Sequence, residues 1–173
     1  MNAKENNQKL IETLKIALAL ETEGKALFLK AASETKSVLA KQTFEFLAKE
    51  EDKHIENIKI FYETLVDADI SQLPEIEDSL ADEKLESFNL KLEAIWEDFK
   101  PSLTDIEAYN LALSFENGAE EFYQEQLENA VDPKIIKFYT WLEAEESMHS
   151  RLINSCIKFV ENPAEWFQKR KKN

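Results

Sequence analysis

Two short motifs in the sequence place a carboxylate and an imidazole at the same spacing. Glu51 is followed three residues later by His54, and Glu146 is followed three residues later by His149. The chain has no other histidines, and the two motifs, EEDKH and EESMH, are 95 residues apart. Residues at positions i and i+3 share one face of an α-helix. Each pair is therefore predicted to converge on one metal ion, since carboxylate oxygen and imidazole nitrogen are common metal ligands.

An internal repeat with the same offset relates the two halves of the sequence. Glu21 aligns with Glu116, and apolar residues align as well, for example Leu47 with Leu142. Two unrelated helix pairs would share apolar positions through their heptads, but they would not share glutamates inside an apolar stripe. The repeat is typical of a duplicated helical hairpin. We therefore predict that Glu21 and Glu116 occupy equivalent positions in the two hairpins.

Four segments with apolar residues three or four positions apart predict four long helices. The chain has only two glycines and four prolines, which agrees with long helices. Short joins make each helix pair an antiparallel hairpin, and a long segment separates the two pairs. The sequence therefore predicts an all-α four-helix bundle with one long crossover and a short C-terminal helix. The predicted single domain, residues 1–173, comprises hairpin one (5–66), the crossover (67–103), hairpin two (104–160) and a C-terminal extension (161–173).

Residue types at the predicted helix ends support these boundaries. Ser37 is a preferred residue for the N-cap of the second helix. Asp132 followed by Pro133 is typical of a helix start, and Pro163 is predicted to start the last helix. A further apolar stripe predicts a helix inside the crossover, and its members are Leu85, Phe88, Leu92, Ile95 and Phe99.

The composition is acidic, and it excludes several classes of partner. The net charge of −14 argues against nucleic acid and anionic membranes as partners. No apolar run approaches the roughly 20 residues that a membrane span needs, and the N-terminal residues lack an apolar signal core. A single cysteine, Cys156, excludes an intrachain disulfide and a four-cysteine metal site in this sequence. These features favour a cytoplasmic protein.

Six polar side chains are predicted to face the core, because each is flanked by apolar residues on its helix face. They are Glu21, Glu51, His54, Glu116, Glu146 and His149. Burying an unpaired carboxylate costs several kcal/mol, and four nearby carboxylates repel one another. Two neutral histidines cannot balance four negative charges. The sequence therefore predicts two metal ions in the core, and the alternative is a buried polar network without metal.

Four segments resemble the rubrerythrin-like branch of the ferritin-like superfamily, over about residues 8–160. The segments are ALALETEGKALF, EEDKH, LALSFENGAEEFY and EESMH. The resemblance implies a ferritin-like bundle in which the same six side chains bind two iron ions. The ligand chemistry alone also permits manganese or zinc.

The resemblance also implies one further glutamate ligand on the third bundle helix, and here the sequence departs from the family pattern. The family has this glutamate three residues after the lone ligand of that helix, where this chain has Ala119. Glu120 follows it and keeps the phase of the stripe, so Glu120 is a candidate seventh ligand. The alternative is that Glu120 pairs with Lys25, its repeat mate on the first helix.

A tyrosine often follows the first-helix ligand of this family by two turns. This chain has Phe28 at that position, whereas the repeat mate Tyr123 carries a hydroxyl. By the resemblance, Tyr123 is the candidate catalytic residue, and a hydroxyl on one side only would make the two metal ions inequivalent. The two glycines, Gly24 and Gly118, each lie within a turn of a lone glutamate, where close packing or metal access would favour them.

The resemblance implies a redox function. The expected reaction is reduction of hydrogen peroxide by a di-iron centre, with electrons from a separate rubredoxin-like protein, because one cysteine cannot build the four-cysteine rubredoxin site. One alternative is a ferroxidase that oxidises and stores iron with dioxygen. Another is a non-catalytic helical bundle with a vestigial metal site.

A homodimer is expected from the resemblance and from four aromatic residues outside the main stripes. They are Trp96, Phe99, Trp166 and Phe167. The alternative is that these side chains are buried within one chain.

Overall fold

A computed structural model describes residues 3–67, 70–94 and 103–171 of the chain. All regular secondary structure in these ranges is helical, so the predicted all-α class is confirmed. The helices are α1 (Ala3–Glu34), α2 (Val38–Asp67), α3 (Ala81–Ala94), α4 (Leu103–Asn129), α5 (Pro133–Glu161) and α6 (Pro163–Arg170). A single 3-10 turn, Ile70–Gln72, lies between α2 and α3.

Two helical hairpins form the bundle. Helix α1 packs along α2, and α4 packs along α5. Residues 35–37 and 130–132 are the only links within the hairpins, so the paired helices must run antiparallel. This arrangement is the ferritin-like bundle expected from the sequence.

Side-chain caps at the starts of α2 and α5 stabilise the short links. The Ser37 hydroxyl accepts a hydrogen bond from the backbone N–H of Ala40 at 3.2 Å. The Asp132 carboxylate accepts one from the N–H of Lys134 at 2.9 Å, and Pro133 occupies the first turn of α5. Each cap satisfies a backbone donor that the helix leaves unpaired.

The crossover returns along the outside of the bundle. Helix α3 packs against α5, and it buries Phe88 and Leu92 of the predicted stripe. Ile95 and Phe99 lie outside the described residues, as does Trp96. Helix α6 buries Trp166 against Phe159, with ring centroids 5.2 Å apart. The Trp166 side chain is therefore buried within one chain and gives no support for a dimer interface.

The apolar core is divided into two clusters along the bundle axis. One cluster includes Phe28, Phe44 and Tyr109, and the other includes Leu14, Phe61 and Phe138. Buried polar side chains occupy the level between the two clusters. The fold thus surrounds a polar layer with apolar packing above and below it.

The two glycines differ in their surroundings. A Cβ atom on Gly24 would lie 2.7 Å from Cε1 of Phe115, whereas a Cβ on Gly118 would meet nothing within 4 Å. Close packing of α1 against α4 therefore accounts for Gly24. It does not account for Gly118, which is exposed on α4.

We expect Gly118→Ala to raise the free energy of unfolding by about 0.5–1 kcal/mol, because alanine has less conformational freedom to lose in a helix. Gly24→Ala is expected to be less stable than Gly118→Ala by at least about 1 kcal/mol, because overpacking displaces Phe115. Urea unfolding of both variants without metal provides the comparison. Equal stabilisation by both substitutions would contradict the packing argument.

Candidate metal centre

The six side chains predicted to face the core all lie in the polar layer. Helix α1 contributes one glutamate and α4 another, while α2 and α5 each contribute a glutamate and a histidine. The exposed fractions are Glu21 2%, Glu51 1%, His54 1%, Glu116 0%, Glu146 1% and His149 0%. Each of the four long helices therefore directs at least one metal-binding side chain into the interior.

Among the described residues, these side chains form two overlapping groups. In each group, one candidate ligand atom per residue lies within 4.8 Å of the others. The groups are Glu21, Glu51, His54 and Glu146, and Glu51, Glu116, Glu146 and His149. Only Glu51 and Glu146 belong to both groups, so their carboxylates are placed to bridge two ions. Glu21 and Glu116 are placed to bind one ion each.

The Nδ1 atom of His54 faces the first group of carboxylates. It lies 2.9 Å from Oε2 of Glu21, 3.0 Å from Oε1 of Glu146 and 3.3 Å from Oε2 of Glu51. Three carboxylates thus converge on one imidazole nitrogen. A cation at that place would have oxygen and nitrogen ligands from three helices.

The Nδ1 atom of His149 has equivalent surroundings in the second group. Its distances are 3.2 Å to Oε1 of Glu116, 3.4 Å to Oε1 of Glu51 and 3.5 Å to Oε2 of Glu146. The two imidazole rings are nearly parallel, with centroids 5.3 Å apart. The internal repeat of the sequence is therefore a pseudo-symmetric pair of sites in the structure.

Without a metal ion, protons must keep this cluster near neutrality. Burial raises the pKa of Glu21 and of Glu116 well above the ordinary value. Burial lowers the pKa of His54 and of His149, but the surrounding carboxylates outweigh it and raise the pKa of both far above the usual range. These shifts favour the protonated form of all four groups.

The two shared glutamates behave in the opposite way. Burial raises the pKa of Glu51, but the neighbouring Glu21 carboxyl group and the adjacent histidines outweigh burial and bring the pKa to about 2. Burial also raises the pKa of Glu146, and the charges of His54 and His149 hold it well below its usual range. Two carboxylates thus balance two imidazolium ions.

The donor set fits a pair of metal ions. Both oxygens of Glu51, both oxygens of Glu116 and Oε1 of Glu146 are buried without a hydrogen-bond partner in the described chain. Buried polar atoms are otherwise almost always paired. Oxygen and nitrogen ligands of this kind suit iron, manganese or zinc. These unpaired oxygen atoms can therefore serve as ligands of two metal ions.

The structure does not bring Glu120 into either group. Its side chain is half-buried, and burial raises its pKa. The alternative partner Lys25 instead pairs with Asp52 on α2, with Nζ and Oδ1 2.5 Å apart. A role for Glu120 as a seventh ligand stays a prediction.

Tyr123 makes the two sites unequal. Its buried hydroxyl on α4 donates a hydrogen bond to Oε1 of Glu21 on α1. Phe28 occupies the equivalent position in the other hairpin and has no hydroxyl. The oxygens of Glu116 accordingly lack such a donor in the described chain. The expected one-sided hydroxyl is present, and a catalytic role for Tyr123 stays a prediction.

We expect Tyr123→Phe to weaken the binding of one of two metal ions by about 10-fold, because a buried carboxylate loses a hydrogen bond worth about 1–3 kcal/mol. Tyr139→Phe is the matched control, since the Tyr139 hydroxyl is buried without a hydrogen-bond partner in the described chain. Stepwise titration with cobalt(II) measures both affinities. Equal effects of the two substitutions would contradict a role for the Tyr123 hydroxyl.

Three residues near the site are not among the ligands that the sequence predicts. Glu50 and Glu145 precede the shared ligands, and both are buried, with exposed fractions of 3% and 1%. Lys84 on α3 forms ion pairs with both of them, at 2.7 Å to Oε2 of Glu50. The second glutamate in each motif was the sequence feature that could have identified Glu50 and Glu145. Only the structure shows what these carboxylates contact.

Comparisons with known proteins agree with the geometry. The family model described as Rubrerythrin matches residues 12–157, which include all six candidate ligands. No curated protein and no solved structure matched the chain. Within the described residues, no helix has the length and apolar character needed to cross a membrane.

Proposed function

The chain belongs to the rubrerythrin family, and we propose that it is a non-haem di-iron peroxidase that reduces hydrogen peroxide. The buried layer of four glutamates and two histidines is the observation that carries this proposal. When bound there, two ferrous ions would supply two electrons and act as Lewis acids toward peroxide. Manganese or zinc would fit the same ligands, but zinc supplies no electrons.

The protein contributes a dry, charged compartment. Glu51 and Glu146 belong to both ligand groups, so their carboxylates would contribute to the binding of either ion. Tyr123 keeps a proton on its hydroxyl oxygen beside Glu21, because burial raises the tyrosine pKa well above its usual range. Apolar clusters above and below exclude water, which strengthens electrostatic interactions in the site.

Electrons are proposed to come from a separate rubredoxin-like protein. The 173 residues include one cysteine, which is buried and cannot form a four-cysteine iron site. Trp141 is half-buried and meets the His54 ring edge-on, with centroids 5.3 Å apart. An aromatic ring therefore links a ligand histidine to the surface. A homodimer is proposed from family membership alone.

Stopped-flow mixing of the reduced, iron-loaded protein with peroxide or with dioxygen tests the proposal. We expect peroxide to oxidise the iron faster than dioxygen does. The double variant Glu51→Ala, Glu146→Ala is the control, and it should show no fast phase with peroxide. Faster oxidation by dioxygen would favour a ferroxidase, and equal slow rates for both proteins would favour a non-catalytic bundle.

A further inference from the structure

Glu145 lies beside both histidines, although it is not one of the predicted ligands. One of its carboxylate oxygens and one ring nitrogen each of His54 and His149 lie within 4.8 Å of one another. Successive residues of a helix point about 100° apart, so Glu145 and Glu146 face different directions. Glu145 shares its group with none of the four ligand glutamates. It therefore approaches the imidazole pair from outside the ligand cluster.

The imidazole rings leave their outer nitrogens without a partner. Both Nδ1 atoms face the ligand carboxylates. Neither Nε2 atom, on His54 or on His149, has a hydrogen-bond partner among the residues described. An imidazole that binds a metal through Nδ1 carries its proton on Nε2. That buried N–H requires an acceptor, and ligand histidines usually have one.

The crossover holds the Glu145 carboxylate in place. Ser79 donates a hydrogen bond to Oε1 at 2.8 Å, and the Lys84 ammonium donates one to Oε2. Each carboxylate oxygen has two lone pairs, so Glu145 can still accept a bond from an imidazole. Ser79 lies two residues before the start of α3, and its hydroxyl also accepts a hydrogen bond from the N–H of Ala81. The position of α3 therefore determines the position of this carboxylate.

Glu50 is the repeat mate of Glu145, and it has different surroundings. Its carboxylate pairs with Lys53 on its own helix at 2.5 Å and with Lys84 at 2.7 Å. Among the described residues, it belongs to no group that contains the histidines. The two glutamates therefore carry the same charge at equivalent helix positions but differ in their contact with the imidazoles.

We propose that Glu145 is a positioning residue that accepts the Nε2–H of a metal-bound histidine and keeps the Nδ1 atom directed at the metal. Ser79 and Lys84 anchor it, so the crossover takes part in orienting the metal ligands. The inference rests on the metal centre of the proposed function, but it does not depend on the oxidant.

Zinc-loaded protein with nitrogen-15 in its histidines tests the proposal by NMR. We expect a slowly exchanging Nε2–H signal in the unmodified protein and in Glu50→Leu. In Glu145→Leu, exchange of that proton should be at least about 10-fold faster, and zinc affinity should fall about 10- to 100-fold, as for other lost partners of ligand histidines. Both variants lose one charge and one partner of Lys84, so charge alone cannot separate them.

Equal exchange rates and equal affinities in the two leucine variants would overturn the proposal. Failure of the unmodified protein to bind zinc would overturn it together with the metal centre. If only Glu145→Leu shows faster exchange and weaker zinc binding, and the unmodified protein does not react with peroxide, the positioning role is supported. Only the proposed peroxidase activity is then overturned. If Glu145→Leu does not fold, Ser79→Ala replaces it. Faster exchange in that variant supports the anchor, and unchanged exchange overturns it.

Discussion

Replacing both Glu51 and Glu146 with alanine is expected to abolish the binding of both metal ions. These are the two glutamates that belong to both ligand groups, so their loss removes two ligands from each site. Metal analysis after iron loading and dialysis should find two ions per chain in the unmodified protein and none in the double variant. Because Glu51 and Glu146 balance the two imidazolium ions, the free energy of unfolding of the metal-free variant is expected to fall, and its helical content is checked by circular dichroism before the metal analysis.

Two single substitutions control for position in the cluster. Glu116→Ala is expected to remove one ion preferentially, since Glu116 belongs to one group only. Glu120→Ala should retain both ions, because the side chain lies outside both groups. Retention of two ions by the double variant would contradict the bridging assignment, and loss of an ion in Glu120→Ala would make Glu120 a ligand.

Metal affinity is expected to rise steeply with pH. Without metal, the raised pKa values of Glu21, Glu116, His54 and His149 favour the protonated form of each group. Two divalent cations bound to ionised carboxylates and neutral imidazoles displace these protons, so each ion displaces two. The dissociation constant of each ion should therefore fall as the pH rises, by up to about 100-fold per pH unit where each ion displaces two protons.

The sign of this effect follows from competition between protons and cations. Lower pH favours the protonated, metal-free cluster, and higher pH removes the competing protons. A weakly buffered solution with a pH indicator should show proton release as zinc binds, up to about four protons per two zinc ions. The double alanine variant should release none. A metal affinity that is independent of pH would contradict the protonation scheme.

The raised histidine pKa values also affect the metal-free fold. Protonated His54 and His149 stabilise it fully below the unfolded pKa of about 6.5, and this stability is lost as pH rises through the raised folded values. Metal loading should therefore increase thermal stability more at high pH than at low pH.

The candidate ligands could be identified without the structure because their signal is local. Helical periodicity places Glu51 and His54 on one face, and the repeat assigns the same face to Glu146 and His149. A carboxylate inside an apolar stripe is unfavourable unless it is paired, whatever the neighbouring helices do. The family and the all-α class follow from the same residues.

The contacts of neighbouring side chains could not be identified in this way. Glu120 keeps the phase of the stripe, yet it lies outside the ligand groups because helix rotation and side-chain reach decide the last few ångströms. The repeat makes Lys25 an alternative partner for Glu120, but Lys25 pairs with Asp52 on the adjacent helix. Repeat mates share a sequence position and do not share neighbours.

By itself, the sequence determined the helices, the duplicated hairpins and the six inward-facing candidate ligands, because each depends on spacing within one segment. Only the tertiary structure decided which carboxylates lie between the two sites, that Tyr123 reaches Glu21 across the bundle, and that the crossover holds Glu145. These contacts join residues 66 and 102 positions apart. Their distances depend on helix packing angles and register, which no single stretch of the chain specifies.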